Sequence, residues 1–265
     1  MLTTNQLREA ARALRDAELA RTPIPPLRLR CPGIDVQDAY RIQLLGIERR
    51  LADGARIAGH KVGLSSPAMQ QMMGVHQPDY GHLLADMELP QDRPVPVGRY
   101  CAPRLEVEVG FVLGDDLPGD GCTPEDVLAA TERVVPALEL IDSRIADWDI
   151  GIADTVADNA SSAGYAIGEG RAIPGLDLRA VEAVLRCGDE VLASGRSDAV
   201  LGDPAIAVAW LARTVAAFGV PLRKGQLVLP GSCTRAVDVH PGRTYTAEFT
   251  GLGSVSLEFG AESHE

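Results

Sequence analysis

The stretch "APRLEVEVGFVL", residues 102–113, decides how the rest of the chain is read. Its Val, Leu and Phe content predicts a buried strand, yet it carries Glu106 and Glu108. Side chains two apart on a strand point the same way. The two glutamates therefore share one face, and Leu105, Val107 and Val109 share the other. On a solvated antiparallel sheet such acids are ordinary. In a partly dry setting two bare carboxylates repel each other and lose hydration, so they need protons, basic partners or a cation.

A second stretch weighs toward the dry setting. "VVPALELIDSRIADWDI" (134–150) reads as another apolar strand, interrupted by Glu139. Three carboxylates from two strands make an oxygen-rich site suited to Mg²⁺ or Mn²⁺. The polar run that follows holds Asp142, Ser143, Arg144, Asp147, Asp154, Asp158 and Asn159. Some of these are expected as caps and turn formers. Arg144 is read either as an anchor for the acids or as a substrate contact.

Around this centre the chain divides by pattern. Residues 3–21 predict a helix, with Thr3 and Gln6 at capping-box spacing and Leu7, Ala10, Ala11 and Leu14 in helical rhythm. "TPIPPLRLRCPG" stops it, and a second helix is expected from Asp35 to Gly54. "RIAGHKVGLS" (56–65) suggests a short strand and turn, and "SPAMQQMMGV" (66–75) a short helix. "HQPDYGHLLADM" (76–87) has loop and turn composition. A helix is expected at 124–133, two strands around Gly188-Asp189 within 179–195, and a helix at 203–219 opened by Asp203-Pro204. "GQLVLPGSC" and "RTYTAEFTGLGSVSLEF" read as strands, and "AESHE" as a frayed end.

Composition narrows the function classes. The chain has 265 residues, with 27 glycines and 18 prolines, which suits a turn-rich fold with strands. Aromatics are 4%, so Val, Leu, Ile and Ala must build the core. Thirty-seven acids against 25 bases give a formal net charge of −12, with no basic block, which argues against nucleic acid as a partner. The five cysteines show no CxxC or metal-finger spacing, the pattern of reduced thiols. No signal-like segment and no run of 18 apolar residues is seen, so the expectation is a cytoplasmic protein with no membrane partner. No HExxH pair is present, which argues against a zinc hydrolase.

Four motifs occur in order: "GHKVGLSSPAMQQMMGVHQPDYGHLLADM", "PRLEVEVGFVL", "PALELIDSRIADWDI" with "DTVADNASSAGYAIG", and "SGRSDAVLGDPAIAVAWLA". Together they resemble the 2-oxopent-4-enoate (2-hydroxypenta-2,4-dienoate) hydratases and the related 4-oxalocrotonate decarboxylases of the fumarylacetoacetate hydrolase superfamily. The resemblance spans nearly the whole chain. It implies an α+β fold: a mixed β-roll catalytic domain over 56–265, with an N-terminal helical region, 1–55, packed on it. It also implies a divalent cation held by Glu106, Glu108 and Glu139, and functional roles for Lys61 of "HKVGL" and Asp79 of "QPDYG". A homo-oligomer built from dimers is implied as well, as is association with an aldolase or decarboxylase of the same pathway.

The expected substrate is a small 2-hydroxy-dienoate, the enol of a 2-oxo acid, chelated through its carboxylate and C2 oxygen. A proton placed on C3 and water added at C5 is the expected course to 4-hydroxy-2-oxopentanoate. Lys61 and Asp79 are the candidate proton shuttle. Lys61 is also read as a partner for the substrate carboxylate, and Asp79 as a turn former in Pro-Asp-Tyr-Gly. His60, His76 and His82 rank below the lysine. Ser65 is a candidate pocket residue. Ser194 and Ser197 of "SGRSDAVLG", and Ser232 and Thr234 of "LPGSCTRAV", are candidate substrate contacts. The hydratase motif at this last stretch reads closer to "TGALG". The departure opens a diacid reading through Arg235, which suits a decarboxylase. C–C hydrolysis, with His60 in a His–Glu pair, and a non-catalytic role in a decarboxylase–hydratase complex are the remaining alternatives. Cys233 lacks an activating motif and is not read as a nucleophile.

Overall fold

The structure, a computed structural model, describes residues 1–66, 70, 71 and 74–260. The expected helix over 66–75 and the expected frayed end at 261–265 lie wholly or partly outside those residues. Gln70 and Gln71 are helical.

Among the described residues, two sheets and the six helices that follow make an α+β fold. The helices are α1 (Thr4–Ala20), α2 (Leu27–Arg30), α3 (Val36–Ala52), α4 (Pro124–Ala130), α5 (Ile152–Ala157) and α6 (Pro204–Ala216). The larger, curled sheet contains β1 (Ile57–Gly63), β2 (Asp79–Leu84), β4 (Arg104–Leu113), β5 (Thr131–Ile141), β6 (Ser162–Ile167) and β9 (Leu227–Leu229). Its order is β2-β1-β9-β4-β5-β6, and the short β10 (Val237–Asp238) pairs with β4 off this path. β1 and β9 run parallel and the other pairs antiparallel, so the sheet is mixed. The second sheet has the order β3-β12-β11-β7-β8. It is built from β3 (Val95–Pro96), β7 (Glu182–Cys187), β8 (Glu190–Arg196), β11 (Arg243–Phe249) and β12 (Gly253–Gly260).

Local chemistry explains most boundaries. Thr3 caps α1 with the reciprocal Gln6 contact, Asp35 caps α3, and Asp203 with Pro204 opens α6. The β7–β8 turn takes Gly188 at φ +58°. The stretch Ser197–Ala216 has the length and apolar content of a membrane span. It is a short 3₁₀ turn followed by a separately capped helix, and that helix buries Ala205, Val208, Leu211 and Val215 in the core.

Two expectations need correction. Residues 79–84, read as loop, form strand β2, in which all six residues are buried against β1. A strand buried on both faces has no apolar–polar alternation, and Asp79, Gly81 and His82 hid it. The helix expected over 124–133 ends at Ala130, because the run from Thr131 onward enters β5. The Thr131 hydroxyl donates to the Val127 carbonyl and closes the last turn. Strand β5 itself stops at Ile141, short of the apolar-strand reading to 150.

One hydrophobic core runs from Leu7 and Leu14 of α1, through Tyr40 and Ile42 of α3, to Val107, Phe111, Leu138, Val208 and Phe259. The helices at the N-terminus therefore pack on the same core as both sheets. Strands β4 and β5 are buried over most of their length, and they carry the three glutamates.

Candidate functional site

β4 and β5 pair so that Glu106 lies opposite Glu139, while Glu108 lies opposite Ala137. One carboxylate oxygen from each glutamate falls within 4.8 Å of the others. Glu108 and Glu139 are fully buried and Glu106 is partly open. Their oxygens are short of donors: Glu108 Oε1 and both oxygens of Glu139 have no hydrogen-bond partner. Glu108 Oε2 alone accepts a backbone N–H, from Gly231 at 2.7 Å.

Burial dominates the electrostatics. It raises the carboxyl groups of Glu106 and Glu108, the latter well above the usual range, with Glu139 and Glu106 adding repulsion at Glu108. Glu139 is pushed up to about 7 by burial, although Lys61 pulls the other way. Such a cluster holds protons or a cation. Three carboxylate oxygens within 4.8 Å of one another, all-oxygen chemistry and buried oxygens without donors fit a hard divalent cation.

Lys61 projects from the middle of β1, between Gly81 on β2 and Leu229 on β9. It is 3% exposed, donates to the Ala160 carbonyl at 3.0 Å and sits 3.4 Å from Glu139 Oε2. Burial lowers the ammonium's pKa, but the attraction of Glu139, Glu106, Asp79 and Glu108 outweighs it and the net shift is upward. Asp79 begins β2 and is buried; Oδ2 accepts from Thr155 Oγ1 at 3.4 Å and Oδ1 has no partner. Burial raises its carboxyl, and Lys61 opposes that shift. Gly63 permits the approach: a Cβ there would collide with Asp79 Oδ1 and lie 3.5 Å from Lys61 Nζ.

The remaining residues singled out in the sequence separate. Ser65 is buried against Gly231, whose φ of +123° and lack of a Cβ let its backbone meet both Ser65 and Glu108. The Ser232 hydroxyl accepts the Val107 N–H at 3.1 Å, and Thr234 donates to the Arg235 carbonyl. Arg235 is turned to the Leu192 carbonyl on the surface. Ser197 uses its hydroxyl on the Val181 N–H, and Ser194 is exposed on β8. Arg144 is buried and paired with Asp158 at 2.6 Å, with further bonds to the Asp158 and Ser162 carbonyls. It faces a groove of about 1010 Å³ between α1, α3 and residues 84–100. Neither Lys61, Asp79 nor any of the three glutamates lines that groove.

Sequence reasoning passed over the turn that holds Lys61. Asn159, Ala160 and Ser161 all have φ near +50° to +57°, a left-handed run of three non-glycine residues. The turn presents the Ala160 carbonyl to Lys61, and Asn159 bonds both backbone groups of His82. The polar string "DNASS" between two apolar strands was its only trace in the sequence. His60 and His82 pair across β1 and β2 with rings 4.9 Å apart. Burial depresses both, His82 to about 4, and His82 Nδ1 meets Gln43 Oε1 at 3.0 Å. No acid pairs with His60 among the described residues, so a His–Glu water-activating pair is not assembled there. Burial pushes the Cys233 thiol up to about 12, away from nucleophilic character.

A curled mixed sheet with a buried triad of glutamates and an adjacent lysine–aspartate pair defines an acid-cluster enzyme scaffold. Residues 68–259 match the family model described as fumarylacetoacetate (FAA) hydrolase C-terminal, and the chain belongs to that family. It is 44% identical over 259 residues to a 2-keto-4-pentenoate hydratase of Paraburkholderia xenovorans, covering 97% of this chain and 96% of the relative. It is 43% identical over 243 residues to a 2-hydroxyhexa-2,4-dienoate hydratase of Comamonas testosteroni, covering 91% and 92%. Among solved structures, 4-oxalocrotonate decarboxylase from Pseudomonas putida G7, complexed with magnesium and adipate, superposes with a TM-score of 0.93 at 36% identity, covering 98% of this chain and 99% of that one.

Proposed function

We propose that this chain is a metal-dependent hydratase of short-chain 2-hydroxy-dienoates. It adds water to 2-hydroxypenta-2,4-dienoate and gives 4-hydroxy-2-oxopentanoate, in the meta-cleavage breakdown of aromatic compounds. The observation that carries this reading is the buried glutamate triad beside Lys61 and Asp79, with Glu108 Oε1 and both Glu139 oxygens lacking a hydrogen-bond donor, in a chain similar along nearly its full length to hydratases of such acids. Glu106, Glu108 and Glu139 would hold Mg²⁺ or Mn²⁺. When bound, such a cation polarises the oxo acid through its carboxylate and C2 oxygen and accommodates the charge that develops there.

The product fixes where the atoms go. A proton on C3 and water at C5, the course written from the sequence, would leave the hydroxyl on C5. A 4-hydroxy product requires that the C2 hydroxyl lose its proton while C5 gains one. Water then adds its oxygen to C4 and a proton to C3. Asp79 carries these protons in this reading: its Oδ1 is free, burial favours its protonated form, and Thr155 steadies the other oxygen. Lys61, fixed by Ala160 and Glu139, keeps a positive charge beside the anionic substrate. Ser65 lines the site at Gly231. Ser232 and Thr234 shape the 230–235 loop, Arg144 holds the 158–162 turn, and Ser194 and Ser197 belong to the β8 side of the molecule.

A second reading keeps the site and changes the reaction: loss of CO₂ from a 2-oxo-hex-3-enedioate. The whole-chain superposition on the decarboxylase favours it. Chelator-stripped protein, reloaded with Mg²⁺ or Mn²⁺, should be offered both substrates in parallel. Loss of dienoate absorbance with 4-hydroxy-2-oxopentanoate formed supports the hydratase. CO₂ released from the diacid supports the decarboxylase. Activity on neither would leave the role of structural partner in a decarboxylase–hydratase complex. A cytoplasmic location fits the five free thiols. A homo-oligomer built from dimers, an aldolase or decarboxylase partner, and a division at residue 55 complete the proposal.

A further inference from the structure

Strand β9 ends at Leu229, level with Lys61 on β1, and the chain then turns through Pro230 to run beside β4. Three hydrogen bonds fix its register there. The Val107 N–H donates to Ser232 Oγ at 3.1 Å, the Cys233 N–H donates to the Val107 carbonyl at 2.8 Å, and the Gly231 N–H donates to Glu108 Oε2 at 2.7 Å. Two of these bonds secure backbone, and the third goes to a buried carboxylate of the triad. Glycine is required at this point. Its φ is +123°, and a Cβ would collide with the Ser65 side chain.

The amide splits the two oxygens of Glu108. Oε2 is held by Gly231, and Oε1 has no partner. A carboxylate tied in this way gives a cation one oxygen; to grip it with both it must give up the N–H. Mg²⁺ demands near-ideal octahedral geometry at about 2.0–2.1 Å, which suits carboxylates that each give one oxygen. Ca²⁺ is larger, takes roughly six to eight oxygens and accepts a two-oxygen grip. We propose that the Gly231 N–H sets the metal preference of this site: it restricts Glu108 to Oε1 and so favours Mg²⁺ over Ca²⁺. Gly231 is a positioning residue, acting through Glu108, and Ser232 supports it by holding the segment against Val107. The inference rests on the reading of Glu106, Glu108 and Glu139 as the ligands of a divalent cation.

The test is calorimetric titration of the chelator-stripped, full-length protein with Mg²⁺ and, separately, with Ca²⁺. In the first variant the amide joining Pro230 to Gly231 is replaced by an ester, which removes the N–H and leaves every side chain in place. Mg²⁺ affinity should fall about tenfold, while Ca²⁺ affinity holds or rises, so the ratio of the two drops by about tenfold or more. Ser232→Ala should move the ratio the same way by a smaller factor, because the Val107 N–H loses its acceptor and the segment loosens. An equal loss for both cations, or an unchanged ratio in the ester variant, overturns the role of Gly231 while the metal site stands. If the ester variant does not fold, an unchanged ratio in Ser232→Ala overturns it instead. Failure of the wild-type protein to bind either cation, or binding that Glu108→Gln leaves intact, overturns the metal reading as well.

Discussion

Glu106 and Glu139 stand directly opposite each other across the β4–β5 ladder, with Glu108 on the same face. Like charges in that position destabilise a sheet unless something neutralises them. Glu106→Gln and Glu139→Gln should both lower Mg²⁺ affinity by at least about tenfold. Without metal Glu106→Gln should melt higher, whereas Glu139→Gln also takes from buried Lys61 its ion-pair partner and should not. Thermal melts with and without Mg²⁺ read both. An unchanged metal-induced shift in either variant would remove that residue from the ligand set.

Lys61 is a fixed positive charge within the same cluster. Lys61→Met should lower kcat by about 10²–10⁴. Mg²⁺ affinity should hold or rise, because a competing cation has been removed. A parallel loss of metal affinity would make the lysine a prop for the glutamates.

Gly63 tests Asp79 without altering it. A methyl group there meets the Asp79 carboxylate and cannot coexist with its present position. Gly63→Ala should cut kcat by roughly tenfold or more, consistent with the sensitivity of catalysis to small displacements. Calorimetry should find the Mg²⁺ constant unmoved, and a variant with full kcat would show that Asp79 need not sit where it does.

Arg144 and Asp158 form a buried pair under the turn that presents Ala160 to Lys61. Removing one partner leaves an uncompensated buried charge. Arg144→Met should cost about 3–5 kcal/mol in urea unfolding. The double replacement Arg144→Met with Asp158→Leu should recover part of that loss.

The buried histidines predict an acid-sensitive contribution. His82 is held at about 4, below its ordinary value of 6.5, so folding favours the neutral ring. The stability linked to it is complete above pH 6.5 and is lost as pH falls toward 4, up to roughly 3 kcal/mol across the window. The raised carboxyl groups of the cluster titrate with the opposite sign. The measurement is therefore the difference in stability between wild type and His82→Gln as a function of pH. That difference should shrink on acidification, and a pH-independent difference would refute the assignment.

Much of this protein is written in the chain itself. The capped helices at Thr3, Asp35 and Asp203, the hairpin at Gly188, and the strands bearing Glu106, Glu108 and Glu139 follow from short-range rules, because caps, turns and strand periodicity act over a few residues. The acids were conspicuous because charge inside an apolar strand demands an explanation. Tertiary structure alone decided the rest. Strand β2 was invisible because burial on both faces erases alternation. The bond from Ala160 to Lys61 joins residues 99 apart. Whether Ser197 or Arg144 meets the glutamates depended on the partner that holds each, the Val181 N–H for Ser197 and Asp158 for Arg144. Long-range pairing sets those partners, and no local pattern encodes it.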